Sequence, residues 1–394
     1  MKVLYLTYEN VFSTGILQAQ VVENLKTLHD RFGVKYILTS TLKEGEQDSS
    51  IYIKNRISTE NKIGHFTDTL EFKKGLRDSQ SVFTFVLDIV PTMFKLLKRK
   101  DYDVIHARSY GAACIALVLS FFRRKPYIFD MRGILPEETV SVGKIHTSSF
   151  KFWLLKKAER MLVDKASKVF TVSDNFTNYV VSEFGKNVSD VFNISNPTNL
   201  NLYNPEGKAV DDRCVNFIYS GSCLGWHLPH QTLELFKYLY LKYSSNIHLY
   251  ICTKDTDKFD AIARKVGLPI SSYSIEQVAF EDMPAVYQKC HIGFCLREPG
   301  LLTSVSCPVK FGEYVASGIK VITNKGVSDF AKLFSSEPNL GVLLDDDFDN
   351  LEPLSELVDS MMTANYKKTQ IKLDKFDWHE VSNEVYAIYT ELER

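Results

Sequence analysis

Lys310 and Glu313 stand three residues apart in Ser306-Cys307-Pro308-Val309-Lys310-Phe311-Gly312-Glu313-Tyr314-Val315-Ala316-Ser317-Gly318. On a helix that spacing puts them on one face. Pro308 suits the first turn of a helix, Ser306 suits a cap, and Gly318 suits a left-handed end. The stretch therefore reads as a short helix with both side chains near its N-terminus, followed by a buried strand, Lys320 to Asn324. A helix N-terminus offers free N–H groups and partial positive charge, which suits phosphate. Lys310 adds a full charge. Ionised Glu313 only accepts hydrogen bonds, which suits a vicinal diol such as ribose. Phosphate and diol within one turn point to a nucleotide. An exposed Lys–Glu pair on an ordinary helix has the same spacing, so spacing alone leaves both readings open.

Other polar residues fall where strands should end. DYDVIH (101–106) reads as a buried strand with Ala107 to Gly111 as its exit loop, and PYIFD (126–130) as the next strand, opening into Met131-Arg132-Gly133. Ligands of open α/β sheets gather at the carboxyl ends of strands. His106, Arg108, Asp130 and Arg132 sit there, as groups for an acceptor or as a structural Asp–Arg pair with its support. In the second half, Gly221 and Ser222 follow one strand, Lys254 a second, and Arg297 and Glu298 a third. Gly221, Lys254, Arg297 and Lys310 are expected to face one crevice. Glu298 can equally be a loop charge, and His227 a structural histidine. Gly15 permits close approach of backbone to a ligand, or is a plain turn glycine.

The elements that must position these groups follow from periodicity. Lys2 to Thr7, a helix over Gln18 to Leu28 and Val34 to Thr39 make a βαβ opening. Residues 43–80 give no clear order. Phe150 to Lys168 keeps a helical beat, and Val169 to Ser173 follows as a strand. Ser173 or Asp174 caps a helix to Phe184. From Asn193 periodicity stops, and a polar linker runs to about Arg213. The grammar then repeats: strands at Val215 to Ser220, Ile247 to Cys252, Ile275 to Phe280 and Ile292 to Arg297. A last amphipathic helix runs from about His379 to Leu392. The domains are expected at 1–200 and 214–375.

At 394 residues with net charge -1, the chain suits two soluble domains and gives no general field for nucleic acid. Charge is nevertheless segregated. Residues 91–168 carry 16 Lys/Arg against 7 Asp/Glu, a net of +9, which suits either an anionic membrane surface or solvated helix faces. The seven cysteines form no CxxC pair and no zinc spacing, which predicts buried thiols in a reducing compartment and no metal. No signal-peptide pattern or membrane-length apolar run is present, so a cytoplasmic protein is expected, peripheral on the inner face of a membrane if it binds one.

Pro-x-Lys-x-x-Glu-Tyr-x-Ala-x-Gly followed by an apolar strand resembles the donor-site signature of retaining GT-B glycosyltransferases of the family 4 type. DVIHARSY and FDMRG are similar to strands of their acceptor domain. The resemblance implies an α/β fold of two Rossmann-like doubly wound domains facing across a cleft, with helix 376–394 returning to the first. It implies transfer of a sugar from a nucleoside-diphosphate sugar, a UDP-sugar foremost, to a glycan or lipid-linked acceptor in cell-surface polysaccharide synthesis. No metal or other cofactor is implied. Glu313 would hold the donor ribose and Lys310 would lie near the diphosphate, with Gly221, Ser222, Lys254 and Glu298 around the donor. Catalysis would rest on Lys310, Arg297, Asp130 and Arg132. Acceptor contacts would come from Gly15, His106 and Arg108. Two departures stand out. Val305 replaces the second Glu of the signature, which faces the donor sugar. Ser222 and His227 replace an Arg and a Lys that clamp the diphosphate. Both departures favour one alternative, a non-catalytic nucleotide-sugar-binding partner of another transferase. The shared architecture leaves a second, a sugar-nucleotide epimerase, against which the PxKxxEY signature argues.

Overall fold

The computed structural model describes residues 1–12, 17–42, 50–73, 82–203, 214–362, 368 and 371–394. The chain divides into two units, Met1–Ser195 with Trp378–Arg394, and Asn196–Asp377.

The first unit is built on seven parallel strands: β1 Lys2–Thr7, β2 Lys35–Leu42, β3 Thr67–Lys73, β4 Val104–Arg108, β5 Tyr127–Asp130, β6 Lys168–Thr171 and β7 Val191–Asn193. Their order is β3-β2-β1-β4-β5-β6-β7. Strands covered on both faces carry little alternation, which explains the continuous apolar runs. The order reverses between β1 and β4, where Thr7 stands beside Arg108 in register, and Arg108 beside Asp130. That is the switch point at which doubly wound sheets take ligands. The helix Trp378–Glu393 packs on the helix Glu23–Phe32 through a stacked Phe32–Tyr386 pair. Its Trp378 donates to the Ala19 carbonyl, and Val385, Ile388 and Tyr389 join the core of this unit.

The second unit has six parallel strands: β8 Val215–Ser220, β9 Ile247–Cys252, β10 Tyr273–Glu276, β11 Ile292–Phe294, β12 Lys320–Asn324 and β13 Gly341–Leu344. Their order is β10-β9-β8-β11-β12-β13, with the reversal between β8 and β11. Phe217, Phe236, Leu249 and Phe294 form the centre of its core.

Four local expectations shift. Ala107 and Arg108 are strand residues, not an exit loop, and the helix Ser109–Arg123 begins at once. The buried arginine hid the last strand position from an apolar pattern. Ser306 caps nothing: its hydroxyl turns back to the Thr303 carbonyl, and Pro308 holds the N-cap of the helix Val309–Ala316. The helix from Phe150 ends at Lys165, since Lys168 already belongs to β6. Finally, β10 begins at Tyr273 and ends at Glu276, ahead of the expected Ile275 to Phe280.

Candidate functional site

The helix Val309–Ala316 lies against the end of β8, beside the switch point of the second sheet: its Tyr314 hydroxyl accepts from the Ser220 N–H at 2.9 Å. Gly318 closes its C-terminus in the left-handed region, φ 68°. Lys310 on its first turn is only 7% exposed, and its Nζ meets no hydrogen-bond acceptor among the described residues. The ammonium lies 4.1 Å from the centroid of the Tyr219 ring at the end of β8. Burial, and after it the Arg297 guanidinium, push its pKa down to about 7 against the opposing pull of Cys295 and Glu313. A buried, hydrogen-bond-deficient ammonium beside a second cation is costly unless an anion completes it.

Arg297 is held by its backbone. Its N–H donates to the Asn324 side chain at 3.0 Å, and Asn324 donates back to its carbonyl at 2.9 Å. Gly221 sits beside the ammonium with φ 142°, and a Cβ there would come within 3.8 Å of the Lys310 Nζ. Its own N–H is engaged by the Cys252 carbonyl at 3.0 Å, so it is not free for a ligand. The Ser222 N–H meets no acceptor among the described residues. His227 hydrogen-bonds the Ser222 carbonyl through Nδ1 at 3.0 Å. Burial, then Arg297 and Lys310, push its pKa down to about 3, so it is neutral and structural.

Glu313, one turn along, accepts from Tyr287 at 2.7 Å and from the Tyr203 hydroxyl. Burial pushes its carboxyl up from the usual range, while Tyr287, Tyr203 and Lys310 pull it back. Two further expected members are exposed. Lys254 is exposed on the loop after β9, and its charge is not among those acting on Lys310. Glu298 is exposed, with its N–H tied to the Trp226 carbonyl and its own carbonyl to Thr303. Val305 is buried in the core at 2% exposure. Tyr219, Tyr287 and Tyr203 were not legible as site residues: Tyr219 sits in an apolar strand, Tyr287 follows apolar residues of a short helix, and Tyr203 lies in the polar linker.

In the first unit, Asp130 at the end of β5 meets Arg132 at 3.0 Å and His106 at 3.5 Å. Burial alone would raise its carboxyl. Arg132, His106 and Arg108 outweigh it and hold the carboxyl well below the usual range. His106 is buried, stacked on Tyr5 and bonded through Nδ1 to Tyr389 at 2.6 Å. Its Nε2 faces the Asp130 carboxylate at 3.5 Å and makes no hydrogen bond among the described residues. Arg108 is buried too, with its two amino groups on Glu9 and Gln20. Only Arg132 of these groups is partly open to solvent. Gly15 lies outside the described residues. No cluster of three or more metal-ligating side chains occurs among the described residues.

Residues 73–191 match the family model described as a glycosyl transferase 4-like domain. No curated relative matches the chain in sequence. Among solved structures the chain is similar to Anabaena HepE in complex with UDP and glucose, at 13% identity and TM-score 0.67, covering 99% of this chain and 100% of that one. It is similar to the sucrose-phosphate synthase of Thermosynechococcus elongatus at 13% identity and TM-score 0.70, covering 99% and 98%. A UDP-N-acetylglucosamine 2-epimerase matches at 11% identity and TM-score 0.62, covering 99% and 96%. At such identities the likeness shows the fold, which is GT-B. Residues 73–191 therefore carry a match to a glycosyl transferase 4-like domain, and the chain as a whole shares the GT-B fold of these solved structures.

Proposed function

We propose that the protein transfers a sugar from a nucleoside-diphosphate sugar, with retention of configuration, to a glycan or lipid-linked acceptor of a cell-surface polysaccharide. The observation that carries the donor assignment is the Lys310 ammonium, buried beside Arg297 with no acceptor among the described residues. A diphosphate would supply the missing anion. As the leaving diphosphate gains charge, Lys310, Arg297 and the amides at the helix N-terminus would stabilise it as preorganised dipoles and charges. Glu313 would accept from the ribose hydroxyls. HepE was solved with UDP, which supports a uridine nucleotide as the first donor to test. In the first unit the pinned Asp130–Arg132 pair would serve the acceptor.

The epimerase likeness keeps a second reading in view, because that chain shares the fold. Incubation with single UDP-sugars separates the two. A transferase gives UDP and free or transferred sugar, whereas an epimerase returns an intact UDP-sugar of altered stereochemistry.

A UDP-sugar panel tested by thermal shift should raise the melting transition. Saturation at ~100 times the dissociation constant adds about 2.7 kcal/mol. Glu313→Ala should lower donor use about a hundredfold, since charge-assisted hydrogen bonds are worth roughly 1.5–3 kcal/mol each. Normal donor kinetics in that variant would remove Glu313 from the donor site.

No helix of the described residues is long and apolar enough to cross a membrane. A lipid-linked acceptor would instead be met at the surface, through the helix Phe150–Lys165, on the cytoplasmic face. Its Phe150 and Trp153 are exposed and stacked at 5.3 Å, with Lys157 over the indole at 4.3 Å.

A further inference from the structure

We infer that Tyr287 and Tyr203 are positioning residues which hold the Glu313 carboxylate oriented toward the diol of the donor, an inference that rests on the donor site proposed above. Tyr287 comes from the helix Met283–Lys289 and Tyr203 from the segment that opens the second unit; both are buried. Their rings lie 5.8 Å apart, and Tyr287 meets Tyr314 edge-on at 5.5 Å.

The hydroxyls form a directed chain. The Ser220 N–H donates to the Tyr314 hydroxyl at 2.9 Å, and the Ser220 hydroxyl stands 3.1 Å from Tyr314 and 3.2 Å from Tyr287. Tyr287 stands 2.7 Å from Glu313. An ionised carboxylate only accepts, so Tyr287 must donate to it. Each hydroxyl upstream can then donate one proton and accept one: Tyr314 to Ser220, Ser220 to Tyr287, Tyr287 to Glu313. With Tyr203 donating as well, two of about four lone-pair positions on Glu313 are filled. The remaining pair matches two adjacent hydroxyls of one ligand.

The groups acting on Glu313 are these two tyrosines and Lys310, with burial opposing all three. Removing the phenol hydroxyls leaves burial less opposed, so the carboxyl would titrate higher and lose its acceptor character on the acid side. A phenylalanine keeps the ring packing, so the consequence is electrostatic.

The test is UDP binding, by calorimetry on the full chain from about pH 5 to about pH 8, for wild type, Tyr287→Phe, Tyr203→Phe and Glu313→Gln. Each Tyr→Phe variant should bind about tenfold more weakly at the acid end, the scale of one charge-assisted hydrogen bond. It should recover toward wild type as pH rises. In the Glu313→Gln background the same Tyr→Phe changes should have no pH-dependent effect. A Tyr→Phe loss that is equal at every pH, or absent, would overturn the positioning role while leaving the donor site intact. If Glu313→Gln itself binds UDP as wild type does, the donor-site reading fails and the positioning role falls with it.

Discussion

At the scale of single residues, Lys310 trades stability for binding. Its folded pKa of about 7 lies below its unfolded value, so between about pH 7 and about pH 10.5 the unfolded chain holds more protons. The penalty for burying the ammonium is complete below that window and fades as pH rises through it. Lys310→Met removes the charge and keeps the stem, so it should stabilise the ligand-free protein by about 1–3 kcal/mol near pH 7, and less toward pH 10. The same variant should turn over on the order of 10²–10³ more slowly, the scale for losing one charge-stabilising donor. A melting transition that falls at pH 7 would refute the burial argument, and unchanged turnover would refute the catalytic one. For wild type, diphosphate affinity should weaken about tenfold per pH unit above about pH 7, because binding then needs a proton at Lys310. Calorimetry in two buffers of different ionisation enthalpy would count that proton. The Lys310–Glu313 pair was legible in sequence because one helix carries both residues and Pro308 and Gly318 mark its ends. Their tyrosine partners were not, because Tyr203, Tyr219 and Tyr287 come from three separate elements. In sequence Tyr219 is one more aromatic in an apolar run, and Tyr203 stands in a polar linker with no periodicity to place it.

At the scale of elements, the close approach of strand to helix sets the site. Gly293 in β11 lets Tyr314 of the helix Val309–Ala316 lie across it: a Cβ there would come within 2.5 Å of the ring. The ring is fixed at its far end by Ser220, so it has no room to move without breaking that bond. Gly293→Ala should therefore cost about 1–3 kcal/mol as overpacking. It should also weaken UDP binding, because Tyr314 heads the hydroxyl chain to Glu313. Retained stability together with wild-type UDP affinity would show that the helix can retreat from the strand. A glycine inside a strand advertises such an approach in sequence without naming its partner. The reach of β4 was hidden for the opposite reason. Arg108 extends the strand while buried, satisfied by Glu9 and Gln20 from distant segments. Polarity in sequence marks a strand end only where the partner groups are absent.

At the scale of the whole molecule, charge is unevenly placed on a nearly neutral chain. The +9 stretch of residues 91–168 includes the helix Ser109–Arg123 and the helix Phe150–Lys165, which pack beside each other. Phe121 and Phe122 are 76% and 64% exposed near Arg123, Arg124 and Lys125, and Phe150 is 75% exposed near Lys151. Exposed aromatics singly need no explanation, but aromatics interleaved with cations fit the interface of an anionic bilayer. Each basic side chain near such a surface is worth about 1 kcal/mol and is screened over roughly 8 Å at physiological salt. An aromatic ring entering the acyl boundary adds up to about 1.5–3 kcal/mol on full burial. The protein should therefore sediment with vesicles containing phosphatidylserine and not with pure phosphatidylcholine, and release as salt rises. The double variant Phe150→Ser with Trp153→Ser should lose most of the salt-resistant binding while its UDP affinity stays at the wild-type level. Equal binding to both vesicle types, or none to either, would leave the basic faces as ordinary solvated surface and remove the membrane from the account of how an acceptor is met.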